Sequence, residues 1–186
     1  METIKREGMD MVFAVDVSKS MLAEDVAPSR LEKSKQLVSQ IINQLGSDRI
    51  GIIAYSGSAF PLLPITTDYG VAKMFLQSIN TDIVSSQGTS LDEAIKLAAT
   101  YFDEKSKTSK LLIMISDGED HSEEGTSAAQ RAAKMGIRIF TFGVGSAEGA
   151  PIPIKRNGVV DSYKKDLEGV TVITKRNAAI LEEIAE

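Results

Sequence analysis

The chain has 186 residues, of which 42% are hydrophobic and 25% are charged, and its formal net charge is −5. These proportions are ordinary for one globular domain. No cluster of lysine or arginine could track a phosphate backbone, which argues against nucleic acid as a partner. Because the chain has no cysteine, disulfides, zinc–thiolate sites and thiol catalysis are excluded.

No segment approaches the roughly 20 apolar residues of a membrane helix, and the N-terminus lacks the apolar core of a signal peptide. Residues 1–9 are polar, so we expect them to form a lead-in to one domain over residues 10–186. The chain shows no internal repeat and no low-complexity tract, which is consistent with a single unit.

Apolar runs and helical periodicity predict an alternation of strands and helices. Buried strands are expected at Met11–Val17, Arg49–Tyr55, Leu111–Ile115 and Ile137–Val144, and helices at about Arg30–Leu45, after Asp68, after Ser90, around Thr126–Met135 and after Asn177. The run Phe60–Ile65 contains two prolines and follows a short turn, which favours an antiparallel edge strand. The order predicts an α/β fold, with a doubly wound, mostly parallel central sheet and helices on both faces.

Local signals refine this prediction at several positions. Ser29 and Glu32 have the spacing of a helix capping box, as have Ser90 and Glu93. The Asn157-Gly158 pair predicts a tight hairpin turn, and we expect a last short strand at Val170–Ile173.

A carboxylate and two hydroxyls, Asp16, Ser18 and Ser20, follow the first strand at alternate positions. In an open α/β sheet, ligands bind outside the carboxyl ends of the strands. Oxygen ligands of this kind suit Mg²⁺, Ca²⁺ or Mn²⁺ rather than zinc or copper. Taken alone, the cluster is equally consistent with a turn in which these side chains satisfy loop amides.

A second carboxylate, Asp117, follows the Leu111–Ile115 strand, and Thr89 lies just before the helix that begins after Ser90. Right-handed crossovers place the first strand beside the Leu111 strand, at the point where the strand order reverses. We therefore expect Asp117 to face the Asp16 cluster, with Thr89 arriving from the neighbouring loop. Convergence of these oxygens at one sheet edge favours the metal-site interpretation over the turn.

This pattern resembles the metal-ion-dependent adhesion site (MIDAS) of von Willebrand factor type A (VWA) domains, the fold shared with integrin I domains. The resemblance covers nearly the whole chain from Asp10. Within this fold the chain resembles the bacterial Bat aerotolerance proteins of the BatA and BatB type, through the strings Met21–Glu32, Asp68–Lys73, Ser116–His121 and Gly143–Ile154. The chain departs from the family at Lys19, where glycine is usual, and we expect its ammonium to point to solvent.

The resemblance implies that Ser18, Ser20 and Thr89 are direct hydroxyl ligands of a divalent cation, while Asp16 and Asp117 bind it directly or through water. Gly88 supports the site by letting its loop approach closely, and Gly118 lies in the second supporting loop. The implied cation is Mg²⁺, with Mn²⁺ or Ca²⁺ as alternatives. The implied partner is a protein that presents an Asp or Glu side chain to the cation, so the domain would not be an enzyme.

Bat proteins also imply a cellular setting. They are inner-membrane proteins of bacteria whose adhesion domain is flanked by transmembrane helices, and they are linked to a MoxR-type AAA ATPase. We therefore expect a domain that faces the periplasm, in a longer membrane-anchored protein, with other Bat proteins and the ATPase system as candidate partners.

The same residues also allow enzymatic alternatives. Asp16 could accept a phosphoryl group with Mg²⁺, and Ser18 or Ser20 with His121 and Asp117 has the ingredients of a hydrolase. No G-x-S-x-G elbow is present, and His121, the only histidine, lies in an acidic loop that we expect to be solvated. Gly143 and Gly145 precede prolines rather than a helix, so we expect no dinucleotide site.

Overall fold

The computed structural model describes residues 8–86, 88–119 and 124–186, and a five-stranded sheet of order β3-β2-β1-β4-β5 lies at its centre. The strands are β1 (Asp10–Asp16), β2 (Arg49–Tyr55), β3 (Ala59–Thr66), β4 (Lys110–Ser116) and β5 (Ile137–Gly143). All neighbours pair in parallel except β2 and β3, which are antiparallel. The expected doubly wound sheet and its proline-containing antiparallel edge strand are therefore confirmed.

Helices cover both faces of the sheet. They are α1 (Arg30–Gln44), α2 (Tyr69–Ser78), α3 (Leu91–Ala99), α4 (Glu124–Lys134) and α5 (Ala178–Ala185), and a 3₁₀ turn spans Lys19–Leu22. Alternate residues of β1 point into two separate apolar layers. Phe13 packs in the layer that contains α1 and α2, whereas Ala14 packs in the layer that contains α3, α4 and α5. Burial on both faces explains why β1 is a continuous apolar run.

The segment between β5 and α5 forms a small addition at the carboxyl edge of the sheet, which we call the β6–β9 segment. It contains β6 (Ala150–Pro151), β7 (Pro153–Arg156), β8 (Val159–Tyr163) and β9 (Ile173–Thr174). The expected Asn-Gly turn joins β7 and β8, and both of its residues have positive φ. The last strand is shorter and later than expected, because it pairs with the two-residue β6.

The helix caps show one correction. Ser29 caps α1 as predicted, since its hydroxyl accepts a hydrogen bond from the Glu32 amide (3.2 Å). Ser90 precedes α3 but does not form the expected capping box, because its hydroxyl donates to the Asp92 carboxylate instead (2.6 Å). A charged acceptor two residues away is the stronger partner for that hydroxyl. In the described part of the chain, no helix has the length and apolar character needed to cross a membrane.

Helix α4 turns a face of small residues toward the sheet layer. Gly125, Ala128, Ala129 and Ala132 are its buried positions, and a methyl group at Gly125 would lie 3.2 Å from Ile184 of α5. Small side chains let α4 pack closely against α3 and α5, so added volume has no free space to enter.

We expect Ala128→Leu to lower the free energy of unfolding by about 1–3 kcal/mol, because a larger side chain overpacks this contact. Gln130→Leu on the exposed face of α4 is the control, and its effect should stay within about 0.5 kcal/mol. Urea denaturation followed by circular dichroism measures both. Equal midpoints for the two variants would show that the α4 face is not tightly packed.

Candidate metal centre

Asp16 and Asp117 lie at the carboxyl ends of two neighbouring parallel strands. Asp16 is the last residue of β1, and Asp117 directly follows β4. Neither side chain has any exposed surface. Parallel strands end at the same edge of a sheet, so pairing of β1 with β4 brings the two carboxylates to one place.

The two serines after β1 join this cluster through the 3₁₀ turn. The Ser18 amide donates to Asp16 Oδ1 (2.8 Å), and the hydroxyls of Ser18 and Ser20 lie 2.9 Å apart. Both serines are buried, and the Ser20 hydroxyl also interacts with the Asp117 carboxyl. The structure therefore brings four of the predicted residues together, namely Asp16, Ser18, Ser20 and Asp117.

Ser116 links the two strand ends and was missed by the sequence analysis. Its hydroxyl donates to Asp16 Oδ2 (2.6 Å) and accepts from the Gly118 amide (2.9 Å). Together with the Ser18 amide, Ser116 gives each oxygen of Asp16 a donor. The available signal in the sequence was a hydroxyl residue at the end of a buried strand, directly before Asp117.

The electrostatics of the cluster suit a cation. Burial, together with the charge of Asp117, raises the pKa of Asp16 to about 7. Burial also raises the pKa of Asp117, although Ser20, the Glu119 amide and Arg30 oppose that rise. Two buried carboxylates in electrostatic contact repel each other, and a divalent cation bound to both would remove this repulsion. The hydroxyls and carboxylates present thus fit a hard cation.

The other described residues offer no competing acidic or histidine centre. Within residues 8–86, 88–119 and 124–186, no group of three or more Asp, Glu, His or Cys side chains is arranged to hold a metal. The candidate centre itself combines two carboxyl groups with serine hydroxyls. His121 and most of the acidic loop around it lie outside the described residues.

Thr89 lies in a loop that is anchored to the end of β2. Ser56, directly after β2, donates from its hydroxyl to the Gly88 carbonyl (2.6 Å) and accepts from the Ser90 amide at its carbonyl (2.7 Å). These bonds hold the half-buried Thr89 at the carboxyl edge, one strand away from Asp16. The membership of Thr89 in the ligand set stays a prediction.

Glycine is required at the two supporting positions, Gly88 and Gly118, for different physical reasons. Gly88 has φ +99°, and a methyl group there would meet none of the described atoms within 4 Å. The positive φ by itself requires glycine at this position, and the close approach of its loop to a bound cation stays a prediction. Gly118 has φ +76°, and a methyl group there would lie 2.2 Å from the Asn177 carbonyl, so the start of α5 packs directly on this loop.

Arg30 is a second residue that the sequence analysis missed. It is fully buried, and its Nη1 donates to Asp117 Oδ2 (2.9 Å). Its Nε and Nη2 donate to Asp25, and although burial by itself raises the pKa of Asp25, bonds from Arg30 and Ser146 hold that pKa at about 2. A cation in the first turn of a helix opposes the helix dipole, and this was the available signal that Arg30 has a special partner.

Lys19 lies between Ser18 and Ser20 in sequence but does not enter the cluster. Its ammonium binds Asp82 (2.6 Å) and Thr81 (3.1 Å) on the loop after α2. The Lys19 side chain is about a third exposed and held by this surface ion pair, rather than pointing freely to solvent as expected.

Removal of the Ser116 hydroxyl tests how the cluster is held. We expect Ser116→Ala to lower the free energy of unfolding at neutral pH by about 1–3 kcal/mol, because it leaves a buried oxygen of Asp16 without its donor. Ser34→Ala is the control, since the Ser34 hydroxyl is buried but donates only to a backbone carbonyl of its own helix. Chemical denaturation in EDTA compares them, and similar losses would contradict the role given to Ser116.

Comparison with known proteins agrees with this architecture. BatB from Bacteroides thetaiotaomicron, described as a conserved hypothetical protein, is 46% identical with a TM-score of 0.91, over 96% of this chain and 85% of that chain. An aerotolerance-related membrane protein from Bacteroides fragilis is 42% identical with a TM-score of 0.91, over 96% of this chain and 87% of that one.

A more distant structure shares the fold. Proximal thread matrix protein 1 from the mussel byssus, whose MIDAS motif is occupied by zinc, is 14% identical with a TM-score of 0.64, over 76% of this chain and 37% of that one. The chain spans 44% and 34% of the length of the first two curated relatives that it matches. The family model for the von Willebrand factor type A domain matches residues 10–154, and the chain belongs to this family.

Proposed function

We propose that the domain binds a divalent cation through Asp16, Ser18, Ser20, Thr89 and Asp117, and that this cation binds an acidic side chain of a protein partner. The observation that carries the proposal is the burial of Asp16 and Asp117 at the ends of paired strands, with Ser18 and Ser20 in contact with these carboxyl groups. A cation bound there would supply an electrophilic centre for a carboxylate.

The chemistry of the residues limits the choice of cation. Carboxylate and hydroxyl oxygens favour Mg²⁺, Mn²⁺ or Ca²⁺, and Mg²⁺ usually keeps waters that a carboxylate ligand could replace. We propose Mg²⁺ as the resident ion. The zinc in the mussel protein supports the view that a domain of this fold binds a divalent metal at this motif.

The cellular setting is also a proposal. The similarity to BatB and to an aerotolerance-related membrane protein supports a membrane-anchored bacterial protein that displays this domain. We propose that the domain faces the periplasm and that its partners include other Bat proteins or a MoxR-type ATPase system.

An enzymatic role for the same site is less well supported. A phosphoryl-transfer mechanism would need Asp16 as an accessible nucleophile, yet Asp16 has no exposed surface and accepts hydrogen bonds from the Ser18 amide and the Ser116 hydroxyl. We therefore propose an interaction domain rather than a hydrolase. Mg²⁺-dependent cleavage of p-nitrophenyl phosphate by the wild type that is lost in Asp16→Asn would reverse this choice.

Cation binding can be tested on the isolated domain by titration calorimetry with Mg²⁺ and Mn²⁺. We expect binding by the wild type, none by Asp16→Ala, and roughly 10–100-fold weaker binding by Thr89→Ala, which loses one ligand. Asp10→Ala is a matched control, because Asp10 is also a buried carboxylate of β1 but lies at the opposite end of the strand. Identical heats for the wild type and Asp16→Ala would reject the site.

Partner binding can be tested with the immobilised domain and a periplasmic extract. A protein held through the cation should stay bound in Mg²⁺, elute in EDTA, and fail to bind an Asp16→Ala column. Equal retention on both columns, unaffected by EDTA, would mean that partners use a different surface.

A further inference from the structure

Arg30 lies between two carboxylates, one of which belongs to the candidate metal centre. Its Nη1 faces Asp117 Oδ2 at 2.9 Å, while its Nε and Nη2 face the two oxygens of Asp25 at 2.8 and 2.7 Å. The guanidinium therefore separates Asp25 from the metal centre. Arg30 has no exposed surface, so water screens these charges poorly.

The surroundings fix the guanidinium in one orientation. Nη1 also donates to the Thr174 hydroxyl and Nη2 to the Thr174 carbonyl, both at 3.0 Å, so that every N–H donor has an acceptor. Gly145 leaves the room that this requires, because a methyl group there would lie 2.6 Å from Nε. Asp25 is held in turn by the amide and hydroxyl of Ser146.

We propose that Arg30 is a positioning residue that sets the charge of the metal centre, and thereby makes the bound cation favour an anionic ligand from the partner. This inference rests on the proposed function. Asp16 and Asp117 would neutralise a divalent cation between them, but Arg30 withdraws part of the charge of Asp117 through a direct hydrogen bond. The bound cation would then keep a net positive charge, and a carboxylate from the partner would neutralise it.

The same arrangement has a cost for cation affinity. The positive charge of Arg30 repels the cation, so removal of Arg30 should tighten cation binding. The same removal should weaken the preference of the bound cation for a carboxylate. Removal of the Asp25 charge should act in the opposite direction, because Arg30 would then act on Asp117 without a counter-charge. A purely structural role would instead weaken cation binding in both variants.

The experiment is a charge series on the intact domain: wild type, Arg30→Met, Asp25→Asn, the double variant, and Arg30→Lys. We expect Mn²⁺ dissociation constants at least about fivefold lower for Arg30→Met and at least about fivefold higher for Asp25→Asn. The double variant restores the total charge, and Arg30→Lys keeps it, so both should lie within about threefold of the wild type.

Arg49→Met is the matched control. Arg49 also forms a two-pronged ion pair with a buried aspartate, Asp10, at 2.7 Å for both bonds. That pair lies at the start of β1, and seven residues of strand place it roughly 20 Å from Asp16, well beyond the screening length in physiological salt. Its loss should leave cation affinity unchanged.

A second measurement separates charge from structure. Each titration is repeated with sodium acetate in place of sodium chloride at equal ionic strength, with acetate as the carboxylate probe. Acetate should tighten apparent cation binding to the wild type and to Arg30→Lys, and should do so less for Arg30→Met. Thermal unfolding in EDTA shows which variants are folded. If Arg30→Met does not fold, Asp25→Asn and Arg30→Lys still test whether cation affinity follows the charge at these two positions.

The failures are distinguishable. If the wild type binds no cation, the proposed function fails. If the wild type binds but Arg30→Met and Asp25→Asn both weaken binding, or if Arg30→Met matches Arg49→Met, the role of Arg30 in setting charge is overturned while the metal site stands.

Discussion

Two carboxyl groups, those of Asp16 and Asp117, are buried side by side where β1 and β4 end, and the rest of the carboxyl edge is organised around this pair. Burial of an ionised carboxylate is costly unless donors or opposite charges compensate. Here the Ser18 amide and Ser116 hydroxyl serve Asp16, while the Glu119 amide and Arg30 serve Asp117. These groups come from the turn after β1, from the end of β4 and the loop after it, and from α1, so the carboxylates link these parts of the chain at one point.

The sheet explains why the pair cannot drift apart. β1 is buried on both faces and pairs in parallel with β2 on one side and β4 on the other. A slip of one residue would turn each side chain of β1 into the opposite apolar layer, so the register is strongly specified. The position of Asp16 relative to Asp117 is therefore a consequence of core packing, and the chemistry of the edge depends on the hydrophobic effect within the sheet.

Features that follow from local patterns or from the topology of parallel sheets could be predicted, whereas individual long-range side-chain contacts could not. The proline-bearing edge strand and the Asn-Gly hairpin follow from residues within a few positions of each other. The Asp16–Asp117 juxtaposition also followed, because topology rules place strand ends together. Asp117, the partner that links Arg30 to the candidate metal centre, is 87 positions away, and a capping box at Ser29 already gave this stretch of sequence a sufficient local explanation.

Arg30 also links two parts of the chain that the family comparison separates. The matched family model ends at residue 154, but the guanidinium binds Thr174 in β9, beyond that limit. The same guanidinium reaches Asp117 and, through Asp25, Ser146. The β6–β9 segment is thus hydrogen-bonded to a side chain that also contacts the candidate metal centre. Any movement that displaces Thr174 must leave donors of a buried guanidinium unpaired, which is costly, so the placement of this segment and the charge at the metal centre are coupled physically.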